Sequence, residues 1–171
     1  TIGRTFAYTV INRLQSNIIA TGYDGRLTSP DLHSALCEGL KDSGAKVINI
    51  GMGPTPMTYF AHYHLNADAV IMVTGSHNPS EYNGFKMVLN KHSFYAEDIQ
   101  SLQKLIDQND LKLIEGEIIN QDIKKDYTER LLQNINLNKK IKIAWDIGNG
   151  AMGAIIKEVT NNLNNSENIF C

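Results

Sequence analysis

The sequence AVIMVTGSHNP, residues 69–79, joins a five-residue apolar run to a polar loop. An uninterrupted apolar run bounded by turn residues is typical of a strand with both faces covered. Asn83-Gly84-Phe85-Lys86 follows closely, so a serine, a histidine and a lysine gather around one loop. Because ligands bind at the carboxyl ends of strands in open α/β sheets, this loop is the first candidate for a functional site.

Strands and helices alternate along the rest of the chain. Apolar spacing predicts strands at 18–20, 46–50, 69–73 and 85–89, and helices at 2–16, 29–44, 55–65, 96–108 and 122–135. The last two of these strands are joined by only a loop, so we expect them to be antiparallel. The chain is therefore predicted to form an α/β fold, a three-layer αβα arrangement with a mixed, mostly parallel sheet.

Two of the predicted helices carry start signals. Ser29 is predicted to cap one helix, with Pro30 as its first residue, and Thr55 and Pro56 repeat this arrangement. The spacing in the second helix places His64 on the apolar face, as a core residue. We expect His64 to be structural rather than a metal ligand.

A polar joint at 136–140 divides the chain into two predicted parts. Residues 1–135 form one domain, and residues 141–171 form the start of a second α/β domain, because apolar residues alternate after the joint as they do in a strand. The asparagine-rich tract 161–168 is expected to be a tail or loop with little capacity to pack. Because residue 1 is threonine and the chain ends soon after this tract, both ends are interpreted as incomplete.

The composition is that of an ordinary globular protein. The 171 residues are 42% hydrophobic and 20% charged, with a net charge of -2. This balance argues against nucleic acid or a membrane surface as the main partner, and no apolar stretch is long enough to span a bilayer. Cys37 and Cys171 are far apart in the sequence, which disfavours a disulfide framework. We expect a cytoplasmic protein.

Ser76 is the candidate nucleophile of the loop. The alternative is a serine that only bonds its own backbone in a turn. The neighbouring residues favour phosphate chemistry, because His77 and Asn78 can donate to phosphate oxygens and Gly75 lets the backbone approach a ligand. Thr74 stands where a serine-hydrolase elbow requires glycine, so acyl transfer is disfavoured.

Lys86 is the candidate cation. It would be an ordinary exposed lysine of a strand if it pointed away from the loop. Its place just after Asn83-Gly84 suggests instead that it points back toward Ser76, where an ammonium group can stabilise an anion.

Residues 148–153 match the pattern G-x-G-x-x-G between a predicted strand and a predicted helix. This is the bare dinucleotide-binding fingerprint, and Glu167 follows at about the spacing of the acidic residue that binds ribose. The residues before Glu167 are asparagines rather than a second apolar strand. A tight turn is therefore the favoured interpretation, and a dinucleotide-binding module is kept as an alternative.

Taken together, the motifs resemble a known family. The segments 74–79 and 82–86 resemble the phosphoserine loop of the α-D-phosphohexomutases, in the form typical of the phosphomannomutase/phosphoglucomutase branch. Residues 22–30 and 51–56 resemble two further loops of the first domain of that family, and residues 145–150 resemble the opening of its second domain. The resemblance follows the order of the chain and covers nearly all of it.

The resemblance implies an isomerase, an intramolecular phosphotransferase that interconverts hexose 1-phosphate and hexose 6-phosphate of mannose or glucose. Ser76 would carry the phosphoryl group as phosphoserine, His77 and Lys86 would act with it, and Thr74, Gly75 and Asn78 would support the phosphate loop. The resemblance further implies Mg²⁺ bound through the phosphate on Ser76, a glucose 1,6-bisphosphate-type activator, and a phosphosugar substrate.

The chain also departs from the family pattern. The arginine-bearing segment before the first helix, the aspartate-rich metal loop and the sugar-reading and phosphate-gripping loops of the later domains are not in this sequence. A carrier without them is expected to be a poor catalyst by itself. A non-catalytic remnant of such a mutase is therefore the rival hypothesis.

Overall fold

The computed structural model describes residues 1–108 and 110–171. The helices are α1 (Ile2–Leu14), α2 (Ser29–Lys41), α3 (Thr55–His64), α4 (Glu97–Gln108), α5 (Lys124–Leu132) and α6 (Gly153–Asn162). The strands are β1 (Ile18–Tyr23), β2 (Lys46–Met52), β3 (Ala69–Val73), β4 (Phe85–Leu89), β5 (His92–Phe94), β6 (Glu117–Asn120), β7 (Ile141–Trp145) and β8 (Ser166–Phe170).

The main sheet is mixed. Its strand order is β5-β4-β3-β1-β2-β6. β1 pairs in parallel with both β2 and β3, and β2 pairs in parallel with β6. β4 is antiparallel to β3 and to β5. The predicted mixed, mostly parallel sheet is confirmed, and so is the antiparallel pair of β3 and β4.

Helices cover both faces of this sheet. One apolar core contains Phe6 of α1, Leu40 of α2 and Leu102 of α4, and the other contains Met57 of α3 and residues of α5 and α6. Ala69, Ile71 and Val73 of β3 contribute to the first core and Val70 to the second, because side chains alternate across a strand, and all five residues of β3 are buried. The predicted three-layer αβα arrangement is therefore confirmed.

The predicted helix caps are wrong by one residue. α2 begins at Ser29 rather than after it, and α3 begins at Thr55, with no side-chain capping hydrogen bond in either case. The Ser29 hydroxyl is buried and donates to the Asp24 carboxylate at 2.5 Å instead of accepting from the helix backbone. A tertiary partner has replaced the local one.

The prediction for His64 is also wrong. Its side chain is partly exposed and its Nε2 lies 3.1 Å from Oδ2 of Asp126. His62 is the buried histidine of α3, with 3% of its surface exposed. The buried face of α3 runs through residues 57, 58, 61 and 62, so it is rotated from the face that the apolar spacing indicated.

The asparagine-rich tract is ordered rather than a loop. Its end forms β8, which pairs in parallel with β7, and α6 crosses between these two strands. A strand ladder uses backbone groups, so polar side chains do not prevent it. Asn168 also finds a partner, because its Oδ1 accepts a hydrogen bond from Trp145 Nε1 at 2.9 Å. The short edge strands β5 and β6 were not predicted.

None of the helices among the described residues is long and apolar enough to cross a membrane.

Candidate functional site

The candidate site lies where β1 and β3 end side by side. These strands are parallel neighbours, so the loops at their carboxyl ends meet. We call residues 24–28 the arginine loop and residues 74–84 the serine loop. The N–H of Asp24 donates to the carbonyl of Val73 at 3.0 Å, and this bond joins the bases of the two loops.

Arg26 connects the two loops through the backbone of the serine loop. Its Nη1 donates to the carbonyl oxygens of Pro79 at 2.6 Å and Tyr82 at 3.1 Å. Its Nη2 donates to the carbonyl oxygens of Ser76 at 3.0 Å and Asn78 at 2.7 Å. One guanidinium group therefore holds four carbonyls around a single turn of chain.

Asp24 holds Arg26 in place. Its Oδ2 lies 3.3 Å from Nε of Arg26, and its Oδ1 accepts hydrogen bonds from the Arg26 backbone and the Ser29 hydroxyl. Partial burial raises the pKa of the Asp24 carboxyl, but hydrogen bonds from Ser29, Thr74 and Arg26 and the guanidinium charge outweigh this effect. The net pKa lies below the ordinary value, so Asp24 is ionised at neutral pH.

Asn83 fastens the far end of the serine loop to the start of α2. Its Nδ2 lies 3.0 Å from Oγ1 of Thr28 and 2.8 Å from Oγ of Ser29. The N–H of Thr74 donates to the carbonyl of Gly84 at 2.9 Å and closes the loop.

Gly75 lies against Arg26 and the backbone of Tyr82. A Cβ at this position would lie 2.5 Å from Cζ of Arg26 and 2.5 Å from the carbonyl oxygen of Tyr82. The space that a side chain would need is filled by the protein itself. The sequence indicated a close approach at Gly75, and the structure shows which group makes it.

Ser76 has an unusual backbone. Its φ is 55°, in the left-handed region, which is uncommon for a residue with a side chain. Its N–H donates to Oγ1 of Thr74 at 2.9 Å, and its carbonyl accepts from Arg26. Both backbone polar groups are thus fixed, while the side chain is exposed at the mouth of the site.

Lys86 meets Ser76 at the top of β4. Its Nζ donates to Oγ of Ser76 at 3.3 Å. β4 is antiparallel to β3, with Lys86 opposite Met72, so the chain returns beside the serine loop and brings the lysine back to it. The structure thus brings together three of the predicted site residues, Ser76, Lys86 and Thr74.

His77 and Asn78 lie on the exposed tip of the serine loop. Within residues 1–108 and 110–171, neither side chain makes a hydrogen bond, although the Asn78 carbonyl is held by Arg26. Their role as donors to phosphate stays a prediction.

A cleft of about 630 Å³ opens beside Ser76. It is lined by both loops and by the turn after β7, at Asn149, Gly150 and Ala151. This volume lies within the range of small-molecule sites in proteins. Leu27 lines the cleft with 97% of its surface exposed.

A family comparison agrees with this architecture. A family model described as "Phosphoglucomutase/phosphomannomutase, alpha/beta/alpha domain I" matches residues 1–113. The chain belongs to this family. The resemblance predicted from the serine loop is therefore confirmed.

Several proteins with names are similar in sequence to this mutase-family chain. A phosphomannomutase/phosphoglucomutase of Pseudomonas aeruginosa is 40% identical over 141 residues, which are 82% of this chain and 30% of the relative. A phosphoglucomutase of Neisseria meningitidis is 37% identical over 173 aligned positions, with 99% of this chain and 37% of the relative covered. The chain spans about a third of the length of these relatives.

A solved structure supports the same assignment of the mutase-family chain. The crystal structure of a phosphoglucomutase/phosphomannomutase family protein from Burkholderia thailandensis superposes with a TM-score of 0.90 at 35% identity. The match covers 99% of this chain and 38% of that one.

The glycine-rich turn of this mutase-family chain does not have the geometry of a dinucleotide site. β7 and β8 run in parallel, with Lys142 opposite Glu167 and Trp145 opposite Phe170. Glu167 is therefore near the start of β8, where it pairs with Lys142 at 3.2 Å, whereas the glycine turn follows the end of β7. An acidic residue that binds ribose would have to lie at the carboxyl ends of the strands, beside the glycine turn.

The described part of the mutase-family chain holds no cluster of three side chains typical of a protein metal site. Across residues 1–108 and 110–171, no three His, Cys, Asp or Glu side chains cluster as metal ligands would. Ser76, through a phosphate, stays the only ligand that we assign.

Sequence reasoning did not identify Asp24 and Arg26 as site residues. Both lie in the segment 22–30 that carried the family resemblance, but Arg26 bonds backbone carbonyls of a loop about 50 residues later, and Asp24 acts by holding Arg26. The signal that was available is their position directly after β1. That position becomes informative only once β1 and β3 are known to be neighbours.

Proposed function

We propose that this chain is the phosphoryl-carrying part of a mutase that interconverts the 1- and 6-phosphates of mannose or glucose. The observation that carries the proposal is the contact between Ser76 Oγ and Lys86 Nζ at 3.3 Å. An exposed hydroxyl with a cation beside it, on a loop held by Arg26, suits a phosphoserine. The names of the relatives support the class of reaction.

In this mechanism, phosphorylated Ser76 gives its phosphoryl group to a free hydroxyl of a hexose phosphate. The bond between phosphorus and Ser76 Oγ breaks as the bond to the sugar oxygen forms. The sugar hydroxyl loses its proton, and Ser76 Oγ gains one and becomes a hydroxyl again. The bisphosphorylated sugar changes its orientation in the cleft and returns its other phosphate to Ser76. Lys86 stabilises the charge on the serine oxygen as the bond to phosphorus breaks.

Positioning accounts for most of the catalysis that we assign to these residues. Phosphoryl transfer requires the donor and acceptor oxygens to be aligned, and the fixed backbone of Ser76 provides one half of that alignment. The rest of the alignment, which includes recognition of the sugar, is not assigned to the described residues.

Mg²⁺ is proposed as the metal, held through the phosphate on Ser76. When bound, it would neutralise charge on the transferring group. The described residues hold no cluster of protein ligands for it. A glucose 1,6-bisphosphate-type activator is proposed as the compound that loads Ser76 with phosphate. A phosphosugar is the proposed substrate, and the cytoplasm is the proposed location.

The test is Ser76→Ala in the full-length protein. We expect the variant to show no phosphoryl transfer and no phosphorylation at this position after incubation with glucose 1,6-bisphosphate, measured by peptide mass spectrometry. Ser93→Ala, at an exposed serine of β5, is the matched control and should behave as wild type. Wild-type turnover in Ser76→Ala would refute the mechanism.

The rival proposal is a folded remnant without turnover. It shares the fold and the loop geometry, so binding of a sugar bisphosphate would not separate it from the mutase. Interconversion of glucose 1-phosphate and glucose 6-phosphate by the full-length wild-type protein does separate them.

A further inference from the structure

Arg26 directs four of its five guanidinium N–H groups at the serine loop. A guanidinium group carries five N–H donors. Four are directed at the carbonyls of Ser76, Asn78, Pro79 and Tyr82, and the fifth, on Nε, lies toward the Asp24 carboxylate at 3.3 Å. All five partners belong to this chain.

This arrangement decides between two roles. An arginine that lines a phosphate-handling cleft is usually taken to grip an anion, because its fork matches phosphate oxygens. Arg26 does line the cleft, but only 15% of its side chain is exposed, four of its donors bond carbonyls of the serine loop, and its charge is paired with Asp24. An incoming phosphate would have to displace several short hydrogen bonds to reach it.

We infer that Arg26 is a positioning residue, which holds the serine loop so that the Ser76 hydroxyl meets Lys86, and that it does not bind the substrate phosphate. The inference concerns the site described above and rests on the proposed function for its catalytic consequence. Its structural half, the control of the loop by Arg26, stands on the contacts alone.

The connection from Arg26 to the nucleophile is short. Nη2 holds the Ser76 carbonyl while Thr74 Oγ1 holds the Ser76 N–H, so the left-handed φ of 55° is fixed from both sides. The direction of a side chain follows from the backbone that carries it. Releasing the carbonyl would let Ser76 relax toward commoner φ values and move its Oγ away from Nζ of Lys86.

The role requires a guanidinium and not simply a positive charge. The four carbonyls belong to four residues of one turn, and a planar, five-donor fork can reach them together. A lysine ammonium has three donors on a single atom. Gly75 completes the arrangement, since a Cβ there would lie 2.6 Å from Nε of Arg26.

The experiment compares Arg26→Lys and Arg26→Ala in the full-length protein. Arg13→Lys is the matched control, because Arg13 pairs with Asp98 at 2.7 Å on the exposed surface between α1 and α4. If Arg26 positions the loop, both Arg26 variants should lose about a hundredfold in kcat, while KM changes by less than about threefold. The Arg13 control should match wild type.

Rescue of activity by added guanidinium ion, kept below denaturing concentration, separates the loss of the guanidinium group from a general loss of structure. We expect the added ion to raise the kcat of Arg26→Ala at least about tenfold. It should leave the kcat of Arg26→Lys unchanged, because the lysine side chain fills the space. Arg26→Lys with near wild-type kcat would overturn the inference, because charge alone would then suffice. A rise confined to KM would also overturn it, since it would indicate a phosphate ligand.

Amide hydrogen exchange tests the structural half without any turnover. Both Arg26 variants should exchange at least about tenfold faster over residues 74–84, with the amides of β1 and β3 unchanged as the control for folding. Unchanged exchange in the serine loop would overturn the inference. If wild type shows no turnover, the proposed function fails, and the exchange experiment still decides the role of Arg26.

Discussion

At the scale of single residues, Lys86 contributes to the site through one contact, with Ser76. Its ammonium group reaches Ser76 Oγ from the neighbouring strand, and its side chain is exposed. An exposed lysine contributes little to folding, so its replacement should separate chemistry from stability.

We expect Lys86→Met in the full-length protein to keep its melting temperature and to lose at least tenfold in transfer rate, about 1.4 kcal/mol of barrier. The loss follows from removing the cation beside the transferring oxygen. Steady-state kinetics measure it, with Lys104→Met on the exposed face of α4 as the control. A smaller loss would make Lys86 a bystander.

His33 is a buried titratable residue that packs against β1. Its Nε2 lies 3.0 Å from Oγ1 of Thr21, its ring lies 4.8 Å from that of Tyr23, and only 4% of its surface is exposed. Burial lowers the pKa of His33 from 6.5 to about 4. The folded protein therefore holds the neutral ring, whereas the unfolded chain binds a proton more readily.

The free energy of unfolding should consequently depend on pH through His33. Because the folded pKa is the lower one, this contribution is fully present above pH 6.5 and is lost as the pH falls toward about 4. The two pKa values bound the loss at about 3 kcal/mol. Urea unfolding across this range measures it. His33→Gln should flatten the dependence, and His92→Gln, at an exposed histidine of β5, should not.

At the element scale, α1 and α2 meet through glycine. A Cβ on Gly3 would lie 2.5 Å from the carbonyl oxygen of Leu36 and 2.8 Å from the backbone nitrogen of Leu40. Backbone cannot move aside as a flexible side chain can. Both helices cover the same apolar core, so the contact fixes how this layer lies on the sheet.

Gly3→Ala should therefore destabilise the protein, by about 1–3 kcal/mol or more, although alanine favours helix. Gly153→Ala is the matched control, because Gly153 begins α6 and nothing lies within 4 Å of its added Cβ. Denaturant unfolding compares the two variants. Equal free energies of unfolding for the two variants would show that α1 and α2 can move apart without loss of stability.

The elements differ in how far the sequence revealed them. The bounds of β3 and β4 were predicted as the structure has them, because β3 is an apolar run, β4 is apolar except for Lys86, and both are bounded by turn residues. β5 and β6 are only three and four residues long and lie at the edges of the sheet, where short strands carry little pattern. The cap at Ser29 was misplaced because Asp24, a tertiary partner, competes for its hydroxyl.

The site, like the set of strands, was predictable only in part. Ser76 and Lys86 are close in sequence and belong to a pattern of residue types, so the pair could be found from the sequence. Arg26 acts on carbonyl groups, which every residue has, so no pattern of residue types indicates it. Finding it required the order of strands in the sheet.

For the whole molecule, the two predicted parts of the chain share a core. Ile155 and Ile156 of α6 are buried in the same apolar cluster as Tyr127 of α5 and Ile123, the residue before α5. The boundary at 136–140 stays a prediction, and the contact across it links the stability of the two parts.

Ile155→Ala should cost about 2–5 kcal/mol, the usual range for a buried isoleucine. We expect the fluorescence of Trp145, the single tryptophan, to change together with the far-ultraviolet circular dichroism during unfolding in denaturant. Lys157→Ala, at an exposed residue of α6, is the control. A change confined to the tryptophan signal would show that the two parts unfold independently.

The contacts of Arg26 have an evolutionary consequence. The carbonyls that it holds are the same whatever side chains occupy positions 78, 79 and 82. Positions 79 and 82, to which no side-chain role is assigned, are therefore free to accumulate substitutions, and through them new preferences for ligands, while the nucleophile keeps its direction. Asp24, Arg26 and Gly75 have no such freedom. The loop separates what has to persist from what can diversify.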